Sequence, residues 1–249
     1  MKQVLGIAYG EHELQRLDLY LPEKDYFPVF VYFHGGGMEK GDKEREKDIA
    51  AALCGMGVGV ICANYRMYPE AQYPDFVEDA ASVVAWAFAH TPSYGASEDI
   101  YVGGSSAGGY LSMMLCFDRR WLAKHDLKPM LVAGFFHDAG QPTTHFNVLR
   151  ERGVDTRRVI VDEAAPLYYI GLDAEYPPMR FVLAEEDMEN RREQTELMLS
   201  TMKHFGYKNY DLITRPGKHV KYLRRDNENG VNEFAALVYD FIREAEEKA

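Results

Sequence analysis

Two adjacent serines stand among glycines in the stretch VGGSSAGGY, residues 102–110. The pattern G-x-S-x-G fits this stretch only with Ser106 at its centre, because a frame centred on Ser105 places an alanine where the second glycine belongs. A serine in this pattern can act as the nucleophile of acyl transfer. The spacing therefore predicts Ser106 as a nucleophile and Ser105 as a packing or hydrogen-bonding neighbour.

The surroundings of Ser106 strengthen this interpretation, since a five-residue pattern by itself is weak. The apolar segment IYVG precedes the pattern and the helix-like segment YLSMMLCF follows it. In a strand-turn-helix setting, the serine hydroxyl projects above the sheet and the helix start offers unpaired N–H groups to a developing oxyanion. The small neighbours of Ser106 allow the strand and the helix to approach closely.

A serine nucleophile needs a histidine base and a carboxylate that orients the base, and in this architecture they follow the serine in the order acid, then histidine. Glu185, Glu186 and Asp187 come directly after the apolar segment RFVLA, and His219 follows YDLITRPGK. We expect His219 to be the base. The residues alone leave the acid open among the three carboxylates.

The glycine run HGGGMEKGD, residues 34–42, follows the apolar segment VFVYF. Successive glycines let the backbone turn sharply and present N–H groups that side chains would otherwise obstruct. We expect the N–H groups of Gly36, Gly37 and Ala107 to form an oxyanion hole. His34 is expected to brace this loop and not to transfer protons.

The elements that must position these residues alternate between apolar strands and helices. Near-continuous runs of apolar residues indicate parallel strands covered on both faces, and the alternation favours an α/β fold with a doubly wound sheet. The opening segments QVLGIAYG and LQRLDLYLP are typical of an antiparallel edge hairpin. Strands are predicted at 28–35, 57–66, 99–106, 129–136, 178–187 and 210–217, and helices at 43–56, 75–90, 107–117, 189–205 and 228–247.

The region from His137 to about Ile170 is too long for an ordinary connection, and it is expected to form a small lid inserted above the sheet. Residues 1–249 are otherwise expected to form a single domain.

The composition excludes several classes of partner. A formal charge of −11 argues against nucleic acid and anionic membrane surfaces. Three cysteines without metal spacing are expected to be reduced, buried thiols, and no metal or cofactor is expected. No apolar run at the start is long enough for a signal sequence, so we expect a cytoplasmic protein acting on a small molecule, and a homo-oligomer stays open.

Together these segments, with NYRMYPEAQYPDFVEDA at 64–80, resemble the hormone-sensitive-lipase type of esterases and lipases of the α/β-hydrolase fold. The resemblance covers most of residues 25–245 and implies a Ser106–His219–Asp187 triad. It also implies a structural charged network of Arg66, Glu70 and Asp79. The sequence departs from the lipase-like members in having Ser105 before the nucleophile and in lacking a large N-terminal cap.

The resemblance implies a serine carboxylesterase for small or short-chain esters, with acetyl or hydroxycinnamoyl esters of plant carbohydrates as one class. Expected substrate contacts are Met38, Tyr110, Phe136 and His137, with Phe146 and Tyr168 as further candidates for the rim. The alternatives keep the triad for a formamidase, an amidase or an acyltransferase, or make the chain a non-catalytic ligand-binding module. A peptidase of the prolyl-oligopeptidase sort is a weaker alternative, since no propeller domain precedes the hydrolase.

Overall fold

The computed structural model describes residues 1–248 and contains one eight-stranded sheet in the order β1-β2-β4-β3-β5-β6-β7-β8. β1 and β2 form an antiparallel hairpin, β2 also pairs antiparallel with β4, and the remaining neighbours are parallel. The mostly parallel, doubly wound sheet and the edge hairpin are therefore confirmed. The strands are β1 Lys2–Ala8, β2 Arg16–Leu21, β3 Phe27–Phe33, β4 Gly59–Ala63, β5 Ala96–Ser105, β6 Gly134–Asp138, β7 Met179–Glu186 and β8 Tyr210–Lys218.

Helices cover both faces of the sheet, which explains the near-continuous apolar strands. One apolar core lies beneath the second, third and sixth helices, and the other lies beneath the first and the last. The α-helices are α1 Lys47–Gly55, α2 Asp75–His90, α3 Ala107–Phe117, α4 Arg120–Ala123, α5 Phe146–Glu151, α6 Arg191–His204 and α7 Glu233–Glu246. Short 3-10 helices occupy Lys43–Glu46, Thr91–Tyr94, Pro129–Leu131, Pro166–Tyr169 and Lys221–Arg224.

Most predicted elements differ from the structure by a few residues at their ends, as the helix predicted at 228–247 does, which is α7 Glu233–Glu246. Two of these differences have a clear physical reason. The strand predicted at 129–136 begins only at Gly134, because Pro129 opens a 3-10 helix in front of it. The insertion predicted to start at His137 begins after Asp138, since both residues belong to β6. The segment between β6 and β7 contains α5 and the 3-10 helix Pro166–Tyr169.

Close backbone contact between β3 and α3 fixes the turn at Ser106. A Cβ placed on Gly108 would lie 1.9 Å from the carbonyl oxygen of Phe33, so only glycine fits there. The N–H of Ser106 donates to the carbonyl oxygen of Asp138 at 2.8 Å, which fastens the turn to β6 as well. Two central strands therefore hold the predicted nucleophile.

A buried polar network lies beneath the same turn. The hydroxyl of Tyr222, which lies three residues after His219, donates to Oδ1 of Asp138. The hydroxyl of Tyr32 donates to Oγ of Ser105 at 2.9 Å. Burial raises the pKa of Asp138 to about 7, although the hydrogen bond from Tyr222 opposes this shift. Asp138 thus connects the turn at Ser106 with the segment that follows His219.

Replacing Gly108 with alanine tests the contact between β3 and α3. We expect Gly108→Ala to lower the free energy of unfolding by at least about 1–3 kcal/mol. The new methyl group would collide with the carbonyl group of Phe33, which β3 holds in place. Gly55→Ala on α1 is the matched control, since its Cβ meets nothing within 4 Å. Urea denaturation measures both variants. Equal midpoints for the two variants would show that the contact is not restrictive.

The pH dependence of stability tests the environment of Asp138. The raised pKa means that the folded protein holds a proton here between about pH 4 and about pH 7, which the unfolded chain has lost. That contribution is complete below about pH 4 and disappears as the pH rises through about 7. The side chain of Asp138→Asn cannot ionise. Between about pH 4 and about pH 7, we therefore expect the free energy of unfolding of wild type to fall by up to about 4 kcal/mol relative to that of this variant.

Urea denaturation of wild type and Asp138→Asn at several pH values from about 4 to about 8 gives this difference directly. A difference that stays constant with pH would mean that the carboxyl group titrates alike in the folded and unfolded states.

Candidate active site

Three segments bring the predicted nucleophile, base and acid together at the carboxyl ends of the strands. Ser106 stands between β5 and α3 with φ +56°, a left-handed conformation that is strained for serine. Asp187 directly follows β7, and His219 directly follows β8. The N–H of His219 donates to the carbonyl oxygen of Glu186 at 3.2 Å, which holds the two loops side by side.

The three side chains form a continuous hydrogen-bonded series. Nδ1 of His219 lies 2.6 Å from Oδ1 of Asp187, and Nε2 of His219 lies 3.0 Å from Oγ of Ser106. A carboxylate only accepts hydrogen bonds, so Nδ1 carries the proton and Nε2 is left to accept one from the serine hydroxyl. This tautomer suits His219 to act as a base toward Ser106.

The three carboxylates that the sequence left open differ in their positions. Glu185 and Glu186 are exposed, whereas the Asp187 side chain is buried against His219. The Asp187 carboxylate also accepts from the N–H groups of Ala184 and Met188, at 3.0 Å and 2.8 Å. Burial opposes ionisation, but hydrogen bonds from His219 and these two N–H groups hold the pKa of Asp187 below its usual value.

The glycine run lies beside Ser106 and turns sharply at Gly36. Its φ is +126°, and a Cβ there would lie 1.7 Å from the carbonyl oxygen of Lys40. Gly36 and Gly37 line the same cavity as Ser106, and Ala107 opens α3. Within residues 1–248, the N–H groups of these three residues donate to no other group, so they are available to a substrate oxygen.

His34 and the segment 64–80 support this loop. His34 stacks on Tyr65 with ring centroids 4.5 Å apart, and its Nδ1–H donates to the carbonyl oxygen of Gly35 at 2.8 Å. The Tyr65 hydroxyl donates to the carbonyl oxygen of His34 at 2.9 Å. Burial lowers the pKa of His34, which favours a neutral, structural imidazole.

The expected charged network is present with one member changed. Arg66 pairs with the buried Asp79 at 2.7 Å and with Asp75 at 3.4 Å. Glu70 is exposed and takes no part in these pairs. The network holds the segment whose Tyr68 N–H donates to the carbonyl oxygen of Met38 at 2.7 Å.

The cavity at Ser106 has a volume of about 590 Å³. Phe146 lies in its wall, as proposed for the rim, whereas Tyr168 is exposed elsewhere. Most of the wall was not predicted from the sequence, although the basic stretch KYLRR at 221–225, which begins two residues after His219, is a signal for part of it. The lining residues are His34, Gly35, Gly36, Gly37, Glu39, Lys40, Gly41, Arg45, Glu46, Ser105, Ser106, Phe146, Met188, His219, Val220, Lys221, Leu223 and Arg224.

Four expected substrate contacts do not line this cavity: Met38, Tyr110, Phe136 and His137. All four are fully buried. Met38 packs in the core, and the Tyr110 hydroxyl donates to the carbonyl oxygen of Ala164 at 2.7 Å.

Phe136 and His137 are also core residues. β6 is a central strand covered on both faces, so its successive side chains enter opposite cores. Phe136 packs on Phe234 and Phe241, and His137 pairs with Ser112 at 2.8 Å.

Other expectations concern composition. Cys54, Cys62 and Cys116 are buried free thiols, as predicted. Among residues 1–248, no helix is long and apolar enough to cross a membrane. Within residues 1–248, no three or more histidine, cysteine, aspartate or glutamate side chains form a group that could hold a metal ion.

Comparison with known proteins agrees with this architecture. A family model described as BD-FAE matches residues 17–126. A probable isoprenylcysteine alpha-carbonyl methylesterase of Oryza sativa subsp. japonica is 35% identical over 110 residues, which are 43% of this chain and 26% of that protein. This chain therefore spans about a quarter of the length of that relative.

Two solved structures extend the likeness over the whole sheet. Esterase B from Lactobacillus rhamnosis superposes with a TM-score of 0.80 at 17% identity, covering 99% of this chain and 87% of that one. A truncated carbohydrate esterase from gut microbiota gives 0.78 at 18% identity, covering 98% and 96%. At such identities these structures show the fold. Together with the mostly parallel eight-stranded sheet, they show that this chain has the α/β-hydrolase fold.

Proposed function

We propose that this chain is a serine carboxylesterase that works through an acyl-enzyme. The observation that carries the proposal is the hydrogen-bonded series from Asp187 through His219 to Ser106 at the wall of an open cavity. Free N–H groups of the glycine run and of α3 lie beside the same serine. Nucleophile, base, orienting acid and oxyanion donors are the four parts that acyl transfer requires.

In the first half of the reaction, Nε2 of His219 takes the proton of Ser106 as Oγ bonds to the ester carbonyl carbon. The carbonyl oxygen becomes negative and accepts hydrogen bonds from the N–H groups of Gly36, Gly37 and Ala107. The Asp187 carboxylate stabilises the imidazolium without taking its proton. The carbon–oxygen bond to the alcohol then breaks, and His219 protonates the leaving alcohol.

In the second half, water replaces the alcohol. His219 takes a proton from water as its oxygen bonds to the acyl carbon, and the same N–H groups hold the second oxyanion. The Ser106–acyl bond breaks, Ser106 regains the proton, and the acid leaves. The chain needs no group other than its own side chains and backbone for these steps.

The cavity supports small or short-chain esters as substrates. Its volume of about 590 Å³ lies within the range of sites that hold one small molecule. We propose acetyl or hydroxycinnamoyl esters of plant carbohydrates as the natural class, in agreement with the likeness to a carbohydrate esterase. Phe146 and Met188 offer an aromatic ring and a thioether to such an acyl group.

Ser106→Ala tests the function. We expect wild type to hydrolyse p-nitrophenyl acetate, p-nitrophenyl butyrate and methyl ferulate, and Ser106→Ala to lose at least about 10⁴-fold in kcat/KM because it lacks the nucleophile. Ser105→Ala is the matched control, since Ser105 is buried and bonded to Tyr32. We expect it to stay within about tenfold of wild type.

Two outcomes would contradict the proposal. A wild-type protein inert on every ester would remove the esterase activity, and faster cleavage of matched amides would favour an amidase. Full activity in Ser106→Ala would move the nucleophile elsewhere.

Asp187→Asn tests the orienting acid. We expect kcat/KM to fall at least about 10³-fold, because an amide favours the imidazole tautomer that cannot accept the serine proton. Glu185→Gln and Glu186→Gln are the controls and should stay within about threefold of wild type, since both side chains are exposed. p-Nitrophenyl ester kinetics measure all three variants. A larger loss in either glutamate variant would reassign the acid.

A further inference from the structure

The cavity at Ser106 carries a charge opposite to that of the whole protein. The formal net charge of the chain is −11. The cavity wall nevertheless contains four cationic side chains, Lys40, Arg45, Lys221 and Arg224, and two acidic ones, Glu39 and Glu46. The reacting serine therefore lies in a locally positive part of an acidic protein.

Both acids of the wall are already neutralised by arginines. Glu39 pairs with Arg150 of the insertion between β6 and β7. The buried Glu46 pairs with Arg224 at 2.9 Å. Neither carboxylate is therefore left to balance the remaining cations.

Three cations of the wall have no such partner. Lys40, Arg45 and Lys221 are exposed, and within residues 1–248 none of them lies within 4.0 Å of a carboxylate facing the cavity. Lys40 belongs to the loop that follows the glycine run, and Arg45 to the 3-10 helix Lys43–Glu46. They come from two separate chain segments, 40–45 and 221, that both line this cavity.

Lys221 and Lys40 lie close in the chain to His219 and to the glycine run. Lys221 follows His219 by two residues, so their Cα atoms are at most about 7 Å apart. Gly36 and Gly37 precede Lys40 in a turn in which the Lys40 N–H donates to the carbonyl oxygen of Gly36 at 3.2 Å. Both groups of positive charge therefore line the same cavity as Ser106.

We propose that the substrates of this site are esters that carry an additional anionic group, such as a carboxylate, which Lys40, Arg45 and Lys221 bind while the ester carbonyl lies at Ser106. This inference rests on the proposed esterase function and narrows its substrate class. A guanidinium binds a carboxylate with two parallel hydrogen bonds, and clustered like charges in a cleft focus the field that attracts an opposite charge.

Matched pairs of esters test the inference. p-Nitrophenyl butyrate and mono-p-nitrophenyl succinate share a four-carbon acyl chain but differ by one carboxylate. Methyl 4-acetoxybenzoate and 4-acetoxybenzoate place the same difference on the leaving group. The ratio of kcat/KM for the anionic ester to that for the neutral ester is compared between proteins, so intrinsic reactivities cancel.

We expect this ratio to fall about tenfold in Arg45→Gln/Lys221→Gln for at least one pair. Lys203→Gln/Lys208→Gln is the control, because it removes the same number of positive charges at a distant place. Lys203 lies in the last turn of α6, about 18 Å along the helix from its first residue, and Lys208 lies just beyond the helix. Its ratio should stay within about twofold of wild type. Ratios that are alike in all three proteins, for both pairs, would overturn the inference and leave the esterase proposal intact.

A binding measurement separates the two proposals if no ester is turned over. Benzoate and benzamide are compared by calorimetry on wild type and on Arg45→Gln/Lys221→Gln. Tighter binding of benzoate that the double variant loses would support the anionic site even though the esterase proposal had failed. Equal binding of benzoate and benzamide by wild type would overturn it.

Discussion

The tight turn at Ser106 is the constraint on which the rest of the site depends. The turn exists because Gly108 lies in contact with the backbone of Phe33, where a Cβ would be 1.9 Å from a carbonyl oxygen. The N–H of Ser106 is bonded to the carbonyl oxygen of Asp138 on the other side. β3 and β6 flank β5 in the sheet. The strained backbone conformation of Ser106 therefore persists because contacts with both neighbouring strands hold it in place. A serine on a mobile loop would not keep its hydroxyl within hydrogen-bond distance of His219.

Much of this arrangement follows from sequence because it depends on local patterns. The five-residue pattern around Ser106 and the glycine run each predict a sharp turn. The apolar runs that end before Asp187 and His219 predict the ends of two strands. Parallel strands end at the same edge of a sheet, so the order of these residues along the chain is enough to bring them together. The helices at 75–90 and 107–117 are equally local, and their predicted bounds are those of the structure.

The rest of the site depends on contacts between distant segments, which no local pattern contains. Phe136 and His137 stand at the end of a predicted strand, where the sequence does not say whether a side chain enters the core or the cavity, and both residues are core. Glu185, Glu186 and Asp187 are alike in the sequence. They differ in the structure because the turn after β7 directs only the Asp187 carboxylate inward, toward His219. The link from Tyr222 to Asp138 joins residues 84 positions apart.

The insertion between β6 and β7 shapes the cavity through the glycine run. A Cβ on Gly37 would lie 3.1 Å from the ring of Phe146, and the Arg150–Glu39 pair lies on the same side. The Tyr73 N–H donates to Glu151 at 2.9 Å, which ties the insertion to the segment that also supports the loop of Met38. The insertion thus contributes Phe146 to the cavity wall, and the segment after His219 contributes Val220, Lys221, Leu223 and Arg224. Because the proposed catalytic groups are held at the ends of the strands and these parts of the wall are not, a change in either part can alter the substrate without disturbing the chemistry.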